Sequence, residues 1–147
     1  RFKKCLLNMC TISAIQAEIV EEFNMFEDWM EKYEYIIELG KTLPMIDEKN
    51  KTENSLIKGC QSRVWLHAYE KNGNIIYSAD SDAIITKGIV AILIRVLSNQ
   101  DAKEIAKADL AFIDKIGFKE QLSQTRANGL VSMIKEMKLY ALAYQNK

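Results

Sequence analysis

Val64-Trp65-Leu66-His67-Ala68-Tyr69-Glu70-Lys71-Asn72-Gly73-Asn74-Ile75-Ile76-Tyr77 carries the strand signal of this 147-residue chain. Val64, Leu66 and Ala68 alternate with Trp65, His67 and Tyr69, which is the period of a pleated strand. Asn72-Gly73 is a strong two-residue hairpin turn, because both residue types tolerate positive φ. Ile75, Ile76 and Tyr77 then begin the return strand. Both faces of this hairpin are fairly apolar, which predicts a sheet covered by helices.

The flanks supply those helices. Ile12, Ile15, Ile19, Phe23 and Phe26 recur at three- and four-residue spacing, with Thr11 or Ser13 as the cap. Asn24 breaks the run. A second helix is predicted from about Glu27 to Leu39, with Trp29, Tyr33, Ile36 and Ile37 on one side and Gly40 as its stop. The acidic residues of both helices, Glu21, Glu22, Glu27, Asp28, Glu31 and Glu34, read as solvated faces. Residues 41–58 look irregular and contain the only proline, Pro44. Beyond the hairpin, Asp80-Ser81-Asp82 offers caps for a buried helix over roughly Ala83–Leu97. A short helix is predicted at Asp101–Lys107. Ser123 opens a last helix, roughly Gln124–Tyr144, with Leu130, Met133, Ile134, Met137 and Leu142 as its buried stripe. Helices, a small antiparallel sheet, then helices define an α+β fold in which the sheet is flanked by helices.

Composition narrows the function. Apolar residues make up 48% of the chain, enough for one packed domain. The 20 basic and 20 acidic residues cancel, which argues against nucleic-acid binding. Arg1, Lys3 and Lys4 fall in the opening stretch RFKKCLLNMC, so the rest is mildly acidic. Residues 1–10 lack helical or strand periodicity, and their apolar run is too short for a signal peptide. They read as a non-native leader or a frayed tail, with Met9 a candidate start, ahead of a single domain over 11–147. No apolar run of about 20 residues exists, so no membrane span is predicted. The nearest candidate, Ala83–Leu97, is interrupted by Thr86, Lys87, Gly88 and Arg95.

Of the three cysteines, Cys5 and Cys10 lie in the leader and Cys60 stands alone in the body. That excludes an internal disulfide framework there and points to a reducing cytoplasm. Cys60 sits where the polar segment meets the first strand. Gly59 beside it permits unusual backbone angles and close approach of a partner. Lys58 and Arg63 place two cations nearby, which would raise the thiolate fraction of a group whose ordinary pKa is about 8.5. The alternative is an inert core cysteine.

Gly59-Cys60-Gln61-Ser62 followed by Val64-Trp65-Leu66 resembles the signature around the active cysteine of SufE-family proteins. Three further blocks agree in order and spacing. Ser81-Asp82-Ala83 with Ile85, Lys87 and Gly88 resembles the start of the family's central helix. Leu122-Ser123 with Thr125 and Arg126 resembles the opening of its final helix, which Asn128-Gly129-Leu130 and Met133 continue. The resemblance covers roughly residues 12–145. Gln124 departs from it, standing where the family usually has proline.

The resemblance implies a SufE/IscU-like fold and a sulfur acceptor for iron–sulfur cluster assembly. A SufS-type cysteine desulfurase, itself using pyridoxal phosphate, would pass a persulfide sulfur to Cys60. The chain would stimulate that enzyme and deliver sulfur to a SufBCD-type scaffold complex. It would need no cofactor or metal of its own and have no independent turnover. Gly59, Gln61 and Ser62 would shape the loop of Cys60. Arg126, in the first turn of the last helix, would stabilise a persulfide anion or dock the partner. Lys58, Arg63, Asp80 and Asp82 are candidate partner contacts, although Asp80 and Asp82 also read as plain helix caps. A solitary thiol suits a carrier, because a second cysteine nearby would attack the persulfide and release sulfide. A polar 47–60 loop that swings Cys60 between shelter and partner would suit one too.

Two rivals remain on sequence grounds, a thiol enzyme pairing Cys60 with His67 and a binding module with an inert cysteine. Seven residues of strand span about 23 Å, so Cys60 and His67 meet only across a sharp bend. One body cysteine and one histidine fall short of the usual four zinc ligands. Scaffold proteins of the IscU type use several cysteines, which this chain lacks.

Overall fold

The computed structural model describes residues 11–146. The segment 1–10 lies outside the described residues. Helices α1 (Ile12–Phe23) and α2 (Trp29–Gly40) lead through an irregular segment to strands β1 (Val64–Lys71) and β2 (Asn74–Ser81). Helix α3 (Ile84–Leu97), strand β3 (Gln100–Asp101), three short helices α4 (Ala102–Lys107), α5 (Phe112–Lys115) and α6 (Phe118–Gln121), and the long α7 (Gln124–Gln145) follow. The sheet is antiparallel in the order β1-β2-β3. The two-residue strand β3 and the four-residue helices α5 and α6 are additions to the sequence reading.

Local chemistry sets the boundaries. The Thr11 hydroxyl accepts the Ala14 N–H at 3.0 Å and starts α1. Asp28 does the same for α2, accepting the Glu31 N–H at 2.9 Å. The hairpin closes through Asn72 and Gly73 with φ of 55° and 85°, the positive pair that matches the twist of two strands.

Gly40 is not a left-handed stop. It is the last residue of α2, it has no positive φ, and it lies buried where α2 crosses α3. A Cβ on Gly40 would stand 3.0 Å from the Gly88 backbone nitrogen, and one on Gly88 would stand 2.1 Å from the Ile36 carbonyl oxygen. These two glycines let the helices touch backbone to backbone.

Helix α3 is buried nearly all round, as its apolar run requires. Of its two charged residues, Lys87 and Arg95, the second is matched by carboxylates from α1. The guanidinium donates to both carboxylate oxygens of Glu22, at 2.7 and 2.6 Å, and to Glu18 Oε1 at 3.2 Å. The Tyr35 hydroxyl donates to Glu22 Oε1 at 2.5 Å. Glu22 is therefore buried, not part of a solvated face, because burying Arg95 demands a bidentate partner.

Among the described residues, helices cover one face of the sheet. Val64, Leu66, Ala68, Ile75, Tyr77 and Ala79 point into the core. On α7, Leu130, Met133 and Met137 are buried, and the Tyr77 hydroxyl donates to the Met137 carbonyl at 2.6 Å. Leu142, assigned above to the buried stripe, is 43% exposed, while Ala141 takes the inward position beside it. On the outer face Trp65 and His67 are half-buried and Tyr69 is exposed. No helix among the described residues covers them; the Lys51 ammonium lies 4.6 Å from the centre of the Trp65 ring instead. The outer edge of β1 meets α7, whose Tyr140 and Tyr144 hydroxyls donate to the Leu66 and Ala68 carbonyls at 3.2 and 3.0 Å.

Candidate functional site

Cys60 lies on a short turn anchored at its base. The Ile57 N–H donates to the Val64 carbonyl at 2.8 Å, and Leu56 bridges to Trp65. Asp82 closes the strand side. Its carboxylate accepts the Arg63 N–H at 3.1 Å, and its own N–H donates to the Arg63 carbonyl at 3.3 Å. Between these ties, Gly59 has a φ of 90°, a conformation that favours glycine, and a Cβ there would stand 2.5 Å from the Ser132 hydroxyl on α7. The turn is thereby pressed against the N-terminal half of α7.

Contact with α7 defines the environment of the thiol. The Cys60 S–H donates to the Gly129 carbonyl at 3.6 Å, and Cys60 is half-buried. Beside it is a cavity of ≈ 50 Å³. Gln61 and Ser62 line it from the turn, Thr86 from α3, and Ser123, Thr125, Arg126, Gly129 and Met133 from the start of α7. Ser123 caps α7 by accepting the Arg126 N–H at 3.2 Å, so Arg126 occupies the first helical turn. Cys60, Gln61, Ser62 and Arg126 are thus brought together around one cavity, with Gly59 adjoining it.

Burial pushes the Cys60 thiol above its ordinary value. The lowering expected from Lys58 and Arg63 does not occur, because both side chains are exposed to solvent, where their charge is screened. The hydrogen bond to Gly129 also uses the proton and favours the neutral thiol. The resting group is a sheltered thiol, not a ready thiolate.

Neither aspartate caps α3, whose N-cap Ala83 makes no side-chain cap. Asp82 is committed to the Cys60 turn. Asp80 lies on the outer face, buried, with Lys51 at 2.7 Å, Lys87 at 3.3 Å and the Ser81 N–H at 2.8 Å. Burial alone would raise its carboxyl, but the hydrogen bonds from Lys51, the Ser81 amide and Lys87 hold it below the usual value. Through Lys51 this pair pins the 47–57 segment to the sheet. The same segment is held at its start by Ile46 and Pro44, each hydrogen-bonded to Ala79 at 3.1 and 2.9 Å. It contains two 3-10 turns, Glu48–Asn50 and Glu53–Ser55, and is not an open loop. The turn between Ile57 and Arg63 rests instead on α7, through the Cys60 bond to the Gly129 carbonyl.

His67 projects from the outer face, its ring 6.5 Å from that of Tyr69, and takes no part in lining the Cys60 cavity. Thr86 and Gly129 received no site role from sequence. Their signals were a polar residue inside an apolar helix and a glycine inside a long one. Among the described residues, no helix is long and apolar enough to cross a membrane.

A family model described as an Fe-S metabolism associated domain, SufE, matches residues 17–141. An uncharacterized SufE-like protein of Rhizobium etli is 40% identical over 126 residues, covering 82% of this chain and 85% of that protein. One from Synechocystis is 33% identical over 144 residues, covering 98% and 91%. The SufE-like protein 1, chloroplastic/mitochondrial, of Arabidopsis thaliana is 37% identical over 131 residues, covering 88% of this chain but 35% of that longer protein. The solution structure of a hypothetical protein from Thermus thermophilus shares the fold with a TM-score of 0.75 at 15% identity, over 90% of this chain and 96% of that one. A match across most of the chain, in a sequence whose Gly59-Cys60-Gln61-Ser62 turn forms the cavity just described, makes this protein a member of the SufE family with a role in iron–sulfur metabolism.

Proposed function

We propose that this chain is a sulfur relay that takes the terminal sulfur of a cysteine desulfurase persulfide onto Cys60 and carries it to a SufBCD-type scaffold. The observation that carries the reading is a thiol on a short turn facing a cavity of ≈ 50 Å³. A site holds one water once about 10–15 Å³ is open to it, so the space admits one added sulfur atom.

The exchange balances without an external oxidant. The Cys60 thiolate attacks the outer sulfur of the desulfurase persulfide, the S–S bond breaks, and the desulfurase cysteine leaves with the electron pair. The proton given up by Cys60 ends on that departing thiolate. Because burial and the Gly129 bond hold Cys60 as a thiol, docking speeds the reaction by drawing the 58–63 turn off α7. That shelter slows reaction of the free protein with stray oxidants and favours transfer from the partner. Lys58 and Arg63, exposed on the turn, are the partner-facing charges. Arg126 and the amide end of α7 face the cavity, where they favour an anionic persulfide. The protein carries sulfur between other catalysts, needs no cofactor of its own, and acts in a reducing cytoplasm.

Incubation with a SufS-type desulfurase and cysteine, followed by intact-mass and peptide mass spectrometry, tests this. The expected result is a gain of one sulfur atom on the Cys60 peptide, absent in Cys60→Ser and retained in His67→Ala. A parent protein that gains no sulfur, or a Cys60→Ser protein that stimulates the desulfurase as well as the parent does, sinks the proposal.

A further inference from the structure

We infer that Gly129 is a positioning residue of the relay: its missing side chain leaves, beside the Cys60 sulfur, the berth that a second sulfur atom occupies. This rests on the sulfur-relay reading and specifies where the cargo sits.

Gly129 is an anomaly by the rules of its own helix. It lies inside the 22-residue α7, where glycine destabilises relative to alanine. Its φ is not positive, so backbone conformation does not require glycine. Close backbone packing does not require it either. The three atoms nearest a Cβ built on Gly129 all belong to Cys60, at 3.6 Å for Sγ and 3.9 Å for both Cα and Cβ, which are ordinary contacts. Gly88 shows the contrast, since a Cβ there would run into a backbone carbonyl. Alanine at 129 is therefore compatible with the empty carrier.

It is not compatible with the loaded one. The cavity of ≈ 50 Å³ is bounded by Gly129 and Met133 on α7 and by Thr86 on α3. Met133 and Thr86 are themselves buried, so those walls are backed by packed core. A methyl group on Gly129 would project into that space, 3.6 Å from the Cys60 sulfur. A persulfide denied the berth must point its outer sulfur towards solvent, where cellular thiols reach it.

The test loads the protein chemically, so that it does not depend on any desulfurase. Inorganic polysulfide is added to the parent, to Gly129→Ala and to Gly129→Ser. The Cys60 thiolate forms one S–S bond as one polysulfide S–S bond breaks, and the shorter polysulfide anion leaves with the electron pair. Excess polysulfide is removed, glutathione is added, and the loss of the extra sulfur is followed by mass spectrometry. Gly129→Ala should shorten the persulfide lifetime roughly fivefold or more, and Gly129→Ser further, by opening the outer sulfur to attack. Gly129→Ala should melt no lower than the parent, which separates the effect from a packing defect. Equal lifetimes in parent and Gly129→Ala overturn the inference, as does failure of polysulfide to load the parent or a lower melting temperature for Gly129→Ala. Should the parent take sulfur from polysulfide with these lifetimes but none from a desulfurase, the relay reading falls and the berth stands.

Discussion

Adding one methyl group at two helical glycines should move stability in opposite directions, and the structure sets the size of each effect. At Gly88 the new Cβ starts 2.1 Å from the Ile36 carbonyl oxygen and 2.8 Å from the Ile36 carbonyl carbon. Reaching 3.0 Å from that oxygen, the least that real Cβ atoms show, needs a shift of about 0.9 Å between α2 and α3. Both sides of the clash are backbone, so no rotamer can relieve it. A gap of that size also loosens Ile36, Leu39, Ile89 and Ile92, all buried in the shared core. Overpacking of this kind costs roughly 3 kcal/mol, the top of the usual range. Alanine returns about 1 kcal/mol of helix propensity, leaving a net loss of about 2 kcal/mol. For a chain of this length that lowers Tm by about 4–8 °C. At Gly129 the strain is absent and the propensity gain stands alone, about 0.5–1 kcal/mol. Far-UV circular dichroism during thermal and urea unfolding reads both, with the urea midpoint moving at constant slope if only stability has changed. A Gly88→Ala protein that melts no lower than the parent would refute the close-crossing account, as would a common sign for both variants.

Further expectations follow from the charged and ionisable groups. The Cys60 thiol is raised by burial, so its alkylation by iodoacetamide should show a pH midpoint above the value of about 8.5 seen for a free cysteine, and should return to that value in denaturant. Its sign in stability is fixed: the folded state holds the proton more tightly, so stability is intact below about pH 8.5 and declines as pH rises through the folded value, a decline that Cys60→Ser should remove. Arg95→Leu leaves Glu18 and Glu22 buried without their cation and should cost about 3–5 kcal/mol by urea unfolding; a loss below about 1 kcal/mol would show that the cluster contributes little. Asp80 is held below its usual range, so its contribution is present above about pH 3.9 and fades as pH falls through the folded value. Asp80→Asn should flatten the acid limb of the stability profile and speed hydrogen exchange across residues 47–57, and unchanged exchange there would dismiss Lys51 as their anchor.

How much of this was legible depended on whether a signal was local. Asn72-Gly73 announces its hairpin because positive φ is an intrinsic property of those residues. Ser123 announces α7 because a cap is satisfied three residues away. Cys60 stood out because the body of the chain offers a single thiol and Gly59 beside it. What stayed hidden was settled by distant partners. Gly40 looks like a helix stop until Gly88 is known to lie against it. Glu22 looks solvated until Arg95, 73 residues away, is found beneath it. Lys58 and Arg63 suggest an activated thiol, but the sign was set by burial against α7. Thr86 and Gly129 enter the cavity only because α3 and α7 converge on the same turn. The strand β3 and the helices α5 and α6 are too short for any periodicity to show.

Helix α7 divides its labour along its length. Its first turns face the sulfur, while Tyr140 and Tyr144, further along, occupy two carbonyls on the outer edge of β1. A strand edge with its acceptors taken is a poor template for a strand from another molecule. In the proposed relay, a partner would pry the cysteine turn loose at one end of the rod while the other end keeps this sheet edge from recruiting neighbours, so that repeated rounds of loading and delivery need not expose the protein to self-association.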